Sequence, residues 1–205
     1  SADSPAGKNT GWYEGYDYVY EKTFTAPAEW KDKNIVFEFE SVYRNPKVYI
    51  NGQLAGQWAY GYTGFYVQAD KFLNYGGENI VKVEAFNADQ PNSRWYSGAG
   101  IYRPVWLYVL PKAHIELQGG IKIKTLDYKN PRISVSVATN AGGQLNISIV
   151  DGAKVIASKD LSTQGQASVE IDPELSFGVP KILTFTPAAS PSATTCARKN
   201  SASAF

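Results

Sequence analysis

Short runs of alternating apolar and polar residues constrain the fold of this chain more than any other feature of its sequence. Residues 34–40 alternate cleanly, with Ile35, Phe37 and Phe39 on one side, and residues 79–86 repeat the pattern. Alternation with a period of two predicts half-buried β-strands. No segment before residue 110 sustains a helical period, so this part is predicted to be all-β, with the short strands of a sandwich.

Turn signals divide the first part into predicted strands. A strand at 47–50 ends at Asn51-Gly52, the dipeptide preferred in a two-residue type I′ hairpin turn, and the chain returns through 53–58. A single helical turn is expected at 69–73. The alternating pattern from Ile101 to Leu110 predicts one continuous strand.

The composition changes near Pro111, which marks a candidate domain boundary. Beyond it tryptophan is absent, and Ser, Val, Ile and Gly dominate. Alternating runs at 121–125, 132–137, 145–149, 154–157 and 167–171 predict a smaller β-sandwich of the immunoglobulin type over 113–186. Residues 187–205 have few apolar side chains, so they are expected to form a disordered or aberrant tail, and the remaining strands that a seven-strand sandwich needs are not visible in the sequence.

Composition and charge argue against several classes of function. The 205 residues carry a net charge of +1 without a long basic run, which argues against nucleic acid and an anionic membrane surface as partners. No apolar run is long enough to span a bilayer. Cys196 and His114 are the only residues of their types, so neither a disulfide nor a Cys/His zinc site is expected, and no cofactor is predicted. His114 is interpreted as a linker residue. Secreted, periplasmic and cytoplasmic locations all remain open.

A polar and aromatic loop before the Ile101 strand is the candidate binding site. It contains Asn92, Ser93, Arg94, Trp95 and Tyr96, and it leads into Gly98 and Gly100. Hydrogen-bonding and ring side chains on a loop fixed to a strand suit a polar, ring-shaped ligand. The competing interpretation is a glycine-kinked edge of a sandwich whose tryptophan belongs to the core.

Four motifs stand out in the first part of the chain. They read Tyr-Val-Tyr-Glu-Lys-Thr-Phe at 18–24, Val-Tyr-Arg-Asn-Pro-Lys-Val-Tyr-Ile-Asn-Gly at 42–52, Tyr-Gly-Tyr-Thr-Gly-Phe at 60–65, and a stretch from Asn92 to Leu107 with the core Gly-Ala-Gly-Ile-Tyr-Arg at 98–103. Together they resemble the N-terminal sugar-binding domain of family 2 glycoside hydrolases, the β-galactosidase, β-glucuronidase and β-mannosidase group. The resemblance covers nearly all of 12–112 and is greatest to the β-galactosidase branch. It implies a jelly-roll β-sandwich over 1–112, and 113–185 resembles the immunoglobulin-like domain that follows it in the family.

The resemblance also implies what this chain lacks. In the family a (β/α)₈ barrel follows, and its two glutamates cleave β-glycosides with retention of configuration. This chain has no barrel and no Asn-Glu pair, so we expect a non-catalytic N-terminal fragment, truncated or frameshifted, that supports a barrel. By position in the family, Asn92, Ser93, Arg94 and Trp95 can contact the terminal sugar.

Two further hypotheses remain open at this point. The chain could be a stand-alone carbohydrate-binding module, whose platform of exposed rings would comprise Trp12, Tyr13, Tyr60, Tyr62, Trp95 and Tyr96. It could instead be a ligand-free structural pair of sandwiches. The expected partner is therefore carbohydrate, bound weakly or only together with a barrel, and the oligomeric state is not predicted.

Overall fold

The computed structural model describes residues 16–89, 98–127, 129–130, 132–151, 154–171 and 182–187, with the backbone alone at 151 and 182–187. The fold is all-β, as predicted, and the chain divides between Lys112 and Ala113 into two compact units. The only helices in these ranges are single 3₁₀ turns at Ala28–Trp30 and Asp70–Phe72, and neither is long or apolar enough to cross a membrane. The second of them confirms the helical turn expected at 69–73.

The described residues of the first unit form nine strands: β1 (Tyr18–Ala26), β2 (Asn34–Phe39), β3 (Val42–Tyr43), β4 (Lys47–Ile50), β5 (Gln53–Gln57), β6 (Phe65–Gln68), β7 (Gly77–Ala85), β8 (Gly100–Ile101) and β9 (Val105–Leu110). One antiparallel sheet has the order β1-β7-β4-β5, a second has the order β6-β2-β9, and β3 pairs with β8. The inward positions of both larger sheets supply the core, as the alternation predicts.

Aromatic rings fill the centre of this core. Phe39 is fully buried and its ring stacks on that of Phe65, with 4.9 Å between centroids and 7° between planes. Phe37 packs beside Phe39 at 6.4 Å and meets Phe24 edge-on at 5.9 Å. Offset and edge-to-face contacts of this kind add to the burial of the ring surface.

The β4–β5 hairpin confirms one prediction, and β8 and β9 correct another. Asn51 has φ = 50° and Gly52 φ = 79°, the two positive values that a type I′ turn requires. The continuous strand predicted from Ile101 to Leu110 is wrong, because residues 102–104 separate β8 from β9 and the two strands belong to different sheets. Pro104 has no N–H for a ladder bond, and only its carbonyl pairs, accepting from the Glu40 amide at 3.1 Å.

In the part of the second unit that the structure describes there are six strands: β10 (Ile121–Asp127), β11 (Arg132–Ala138), β12 (Gly143–Asp151), β13 (Lys154–Thr163), β14 (Gln166–Ile171) and β15 (Ile182–Pro187). They make two antiparallel three-stranded sheets, in the orders β10-β11-β14 and β13-β12-β15. The core is aliphatic, and its fully or nearly fully buried members are Val135, Val137, Leu145, Ile147, Ile149 and Ile171.

Strand β15 was not foreseen from the sequence. It pairs with β12 along its whole length, so Pro187 belongs to a sheet and not to the predicted tail. A run that reads Ile-Leu-Thr-Phe-Thr-Pro has β-forming residues, but the proline and the surrounding small polar residues conceal the strand. The rest of the predicted tail, 188–205, lies outside the described residues.

Candidate functional site

The predicted site residues Asn92, Ser93, Arg94, Trp95 and Tyr96 lie in a segment, 90–97, outside the described residues, as do Trp12 and Tyr13 of the predicted ring platform. The structure does describe the residues on both sides of this segment. These flanking residues show where the chain leaves the first unit and where it returns.

Where the chain leaves, three contacts hold it after β7. The Phe86 amide donates to the Arg44 carbonyl at 2.9 Å. Asp17 accepts at one oxygen, Oδ1, from the amides of Asn87 at 2.8 Å and Ala88 at 3.0 Å. A carboxylate that accepts two backbone amides fixes the path of the backbone.

Where the chain returns, glycine allows a close approach. Gly100 pairs with Tyr43 in the β3–β8 ladder and has φ = 64°, and a Cβ on it would overlap the Tyr20 hydroxyl. That hydroxyl accepts from the Ile101 amide at 3.3 Å. Arg44 and Tyr43, which are neighbours in sequence, thus hold the two ends of the predicted loop.

The glycine-aromatic motif 60–65 contacts the same region. The Gly61 carbonyl accepts from Ser41 at 2.7 Å and from the Tyr102 hydroxyl at 2.9 Å. A Cβ on Gly61 would overlap the ring of Tyr43, which packs against Tyr62 at 5.2 Å between centroids. Residues of this motif and the residues on both sides of segment 90–97 therefore contact Tyr43 or Arg44.

Two rings of the predicted platform are available on this loop. Tyr60 is 57% exposed and Tyr62 is 42% exposed, and their ring centroids lie 5.6 Å apart in an edge-on arrangement. Since the rings are not coplanar, they do not form one flat surface.

A depression of 490 Å³ beside this segment was not foreseen from the sequence. The described residues that line it include Asn45, Pro46, Lys47, Gln57, Trp58 and Phe86. The signal that could have indicated it is the hairpin register, since the turn at Asn51 places the start of β4 opposite the end of β5. A bulge after Leu54 makes Lys47 pair with Gln57, one residue further than an uninterrupted hairpin would give.

The lining of this depression is fixed by several contacts. The Trp58 amide donates to the Pro46 carbonyl at 3.1 Å, and its indole Nε1 donates to Thr63 Oγ1, also at 3.1 Å. The indole stacks on Phe65 with 6.0 Å between centroids. Lys47 Nζ lies 5.2 Å from the centroid of Phe86.

Two carboxylates of the first unit accept hydrogen bonds from structural donors. Glu38 accepts from the hydroxyls of Tyr66 at 3.1 Å and Tyr108 at 2.6 Å, and Glu40 accepts from the Trp106 indole at 2.7 Å. No group of three or more His, Cys, Asp or Glu side chains suited to a metal ion occurs within the described ranges.

A lysine and a glutamate on β7 form the shortest ion pair among the described residues. Lys82 Nζ lies 2.6 Å from Glu84 Oε1. This charged hydrogen bond lowers the pKa of Glu84 and raises the pKa of Lys82. Both charges are thereby stabilised on the outer face of the sheet.

Comparison with known proteins assigns the first unit. Residues 6–111 match the domain described as "Glycosyl hydrolases family 2, sugar binding domain". The chain is 40% identical over 115 residues to the β-galactosidase BoGH2A of Bacteroides ovatus, covering 56% of this chain and 14% of that protein. It is 31% identical over 176 residues to a putative β-glucuronidase of Formosa agariphila, covering 82% of this chain and 17% of that protein.

A solved structure extends the similarity across both units. The chain resembles a β-glycosidase from Bacteroides vulgatus with a TM-score of 0.71 and 26% identity, over 86% of this chain and 24% of that structure. The chain therefore spans only a small part of the proteins that it matches. With the sugar-binding domain matched over more than half of the sequence and the all-β fold shared, the chain belongs to glycosyl hydrolase family 2.

Proposed function

We propose that this chain acts as an accessory, non-catalytic region of a family 2 glycosidase. In this proposal residues 1–112 are the sugar-binding jelly roll, and residues 113–186 are an immunoglobulin-like domain that helps to support a catalytic barrel. The terminal sugar is contacted by Asn92, Ser93, Arg94, Trp95 and Tyr96. The relatives named β-galactosidase and putative β-glucuronidase suggest a terminal β-galactoside or a related β-glycoside as substrate.

The observation that carries the proposal is the double anchorage of the loop. Its outgoing end is bonded to Arg44 and its returning end pairs with Tyr43. A loop whose two ends are held on a rigid sheet loses less conformational entropy when it contacts a ligand, so such a frame suits a positioning role.

The carboxylates support an accessory role. A retaining glycosidase uses two carboxyl groups about 5 Å apart on either side of a sugar. Glu38, Glu40 and Glu84 accept instead from tyrosine, tryptophan and lysine side chains that surround them on the sheet faces. These hydrogen bonds give the three carboxylates a structural role in the sandwich.

A chimaera with a catalytic barrel tests the proposal. Residues 1–186 replace the corresponding region of the Bacteroides ovatus β-galactosidase, and hydrolysis of a chromogenic β-galactoside is measured. We expect Arg94→Ala to lower kcat/KM by about tenfold, since a lost hydrogen bond to a charged group is worth about 1.5 kcal/mol or more. Trp95→Ala should lower it by a similar factor, since the packing of an aromatic face on the sugar is lost. Tyr60→Ala is the matched control and leaves kcat/KM unchanged.

Two results would count against the proposal. Turnover of the substrate by the isolated 205-residue chain, co-purifying with it and absent from a mock preparation, would contradict the non-catalytic role. Unchanged kcat/KM in both loop variants of a folded, active chimaera would remove the sugar contact from the loop.

A stand-alone carbohydrate-binding module is the second candidate, and one observation favours it. Trp58, Tyr60 and Tyr62 are 37%, 57% and 42% exposed on one loop, and exposed rings stack on the apolar faces of sugars. Calorimetric titration of the isolated chain with galactose and lactose separates the two roles. Binding at millimolar or lower concentration that Tyr60→Ala weakens favours the module. Binding that Tyr60→Ala leaves unchanged, or that occurs only in the chimaera, favours the accessory region.

A further inference from the structure

We propose that the depression beside Trp58 is a second carbohydrate site, and that it takes a pyranoside carrying a carboxylate, a hexuronic acid residue. The inference rests on the proposed function in one respect, namely that the first unit contacts carbohydrate. It concerns a different place from the 92–96 loop and a narrower class of ligand.

The size and shape of the depression suit a single sugar. Its volume of 490 Å³ lies within the range of about 300–1,000 Å³ typical of small-molecule sites. Its wall is preformed, because the Pro46 carbonyl and the Trp58 amide join its two sides at 3.1 Å. A site that exists before the ligand arrives needs little reorganisation to bind it.

Trp58 supplies the stacking surface. The hydrogen bond from Nε1 to Thr63 and the stacking on Phe65 fix the orientation of its indole ring, yet 37% of the residue remains exposed. One face of a pyranose presents C–H groups, which pack on an aromatic face. Holding the ring in advance reduces the entropy lost on binding.

Lys47 supplies the charge selectivity. Among the described residues that line the depression, Lys47 is the only charged one, and none is a carboxylate. Its ammonium lies 5.2 Å from the centroid of Phe86, a cation–π contact that keeps it at the edge of the site.

The carboxylate opposite Lys47 on the neighbouring strand already accepts a hydrogen bond from another lysine. Glu84 lies opposite Lys47 in the β4–β7 ladder and accepts the short hydrogen bond from Lys82. Lys47 also contributes to lowering the pKa of Glu84, so the two charges interact, but the hydrogen bond from Lys82 is the larger cause. A carboxylate on the ligand therefore meets a cation within the depression, while Asn45 and Gln57 offer amide groups for the sugar hydroxyls.

Binding of two sugars that differ only at C6 tests the inference on the full 205-residue chain. Methyl β-D-glucuronide and methyl β-D-glucoside are titrated while amide and indole NMR signals are followed. We expect the glucuronide to bind about fivefold more tightly, the factor that an exposed charge pair provides, with shifts concentrated at Lys47, Gln57, Phe86 and the Trp58 indole N–H. The preference decreases as salt is added.

Four variants locate the site. Lys47→Gln removes the preference for the glucuronide, whereas Lys71→Gln, which alters a lysine at 5.0 Å from the ring of Phe72 outside the depression, preserves it. Trp58→Ala weakens binding of both sugars by about tenfold or more, and Val19→Ala, which truncates an exposed side chain on β1 outside the depression, leaves both unchanged. If Trp58→Ala proves unfolded by its thermal transition, the lysine pair still decides the question.

The outcomes separate this inference from the proposed function. Equal affinity for both sugars, or a preference that survives Lys47→Gln, overturns the assignment to acidic sugars. Shifts confined to other parts of the first unit, or no binding of either sugar, overturn the site. The accessory role is tested independently, because it depends on kcat/KM of the loop variants in the chimaera.

Discussion

The two units exclude water from their cores in different ways. In the first unit stacked phenylalanines fill the space between sheets, and glycines without Cβ atoms allow loops to approach the rings of Tyr20 and Tyr43. In the second unit the core is aliphatic, and edge strand β10 leaves Ile121 and Ile123 exposed by 40% and 52%. The core of the first unit therefore depends on packed rings, whereas the core of the second depends on aliphatic side chains.

Removal of a core ring gives the largest expected effect. Phe39→Ala lowers the free energy of unfolding of the first unit by about 4 kcal/mol, because it leaves a cavity beside Phe65. All five tryptophans precede residue 112, so tryptophan fluorescence in urea reports this unit alone. Ile147→Ala in the second unit is the control and leaves the midpoint of the fluorescence transition unchanged. A shift of that midpoint in the control would show that the units unfold together.

A glycine substitution measures how much the first unit depends on close approach. Gly61→Ala lowers its free energy of unfolding by about 2 kcal/mol, because the new Cβ overlaps the ring of Tyr43 and overpacking has a cost of this order. Gly143→Ala in β12 is the matched change, with no atom within 4 Å of the new Cβ, and amide exchange of the second unit should be nearly unaffected. Equal effects of the two substitutions would remove this difference between the units.

The period-two pattern predicted the strands well, because alternation directly reflects burial on one face of a sheet. Asn51-Gly52 predicted its turn because few other dipeptides tolerate two positive φ angles. The break at Pro104 was missed, since an alternating pattern does not distinguish one strand from two strands in different sheets. The depression was missed because it depends on a bulge after Leu54 and on the approach of Phe86, which is distant in sequence.

The candidate site was predicted less completely than the fold. The motif 98–103 indicated where the loop returns, but nothing in the sequence singled out Tyr43 and Arg44 as the anchors of both its ends. Such an anchor is made by pairing across long sequence separations. Local composition carries no information on which strands will meet.

A cross-strand pair in the second unit sharpens the contrast in water exclusion. Ile123 lies directly opposite Val135, and Val135 is completely buried. Val135→Ala should lower the free energy of unfolding of the second unit by about 2 kcal/mol, and Ile123→Ala by less than about 1 kcal/mol, since half of its side chain already contacts water. Native-state amide exchange of β11 and β12 gives both values. A larger loss for Ile123→Ala would mean that β10 is covered in solution.

The smallest expected effect is a change in the pKa of one carboxylate in each unit. The hydrogen bond from Lys82 lowers the pKa of Glu84, and the backbone amides of Lys129 and Asn130, at 2.8 Å and 3.2 Å, lower the pKa of Asp127. A carboxylate whose pKa is lowered by folding stabilises the folded state above its ordinary pKa, and this contribution is lost as the pH falls through the lowered value.

Salt should distinguish the two causes. Between about 0.05 M and about 1 M NaCl, the pKa of Glu84 should rise toward its ordinary value, because mobile ions screen its interaction with the 40% exposed Lys82 side chain. The pKa of Asp127 should change less, because neutral amides at fixed short distances hold it. Carbon-13 titration of the two carboxyl groups measures both, and Lys82→Gln should raise the pKa of Glu84 alone. Equal salt shifts would mean that distant charges, and not the turn amides, set the ionisation of Asp127.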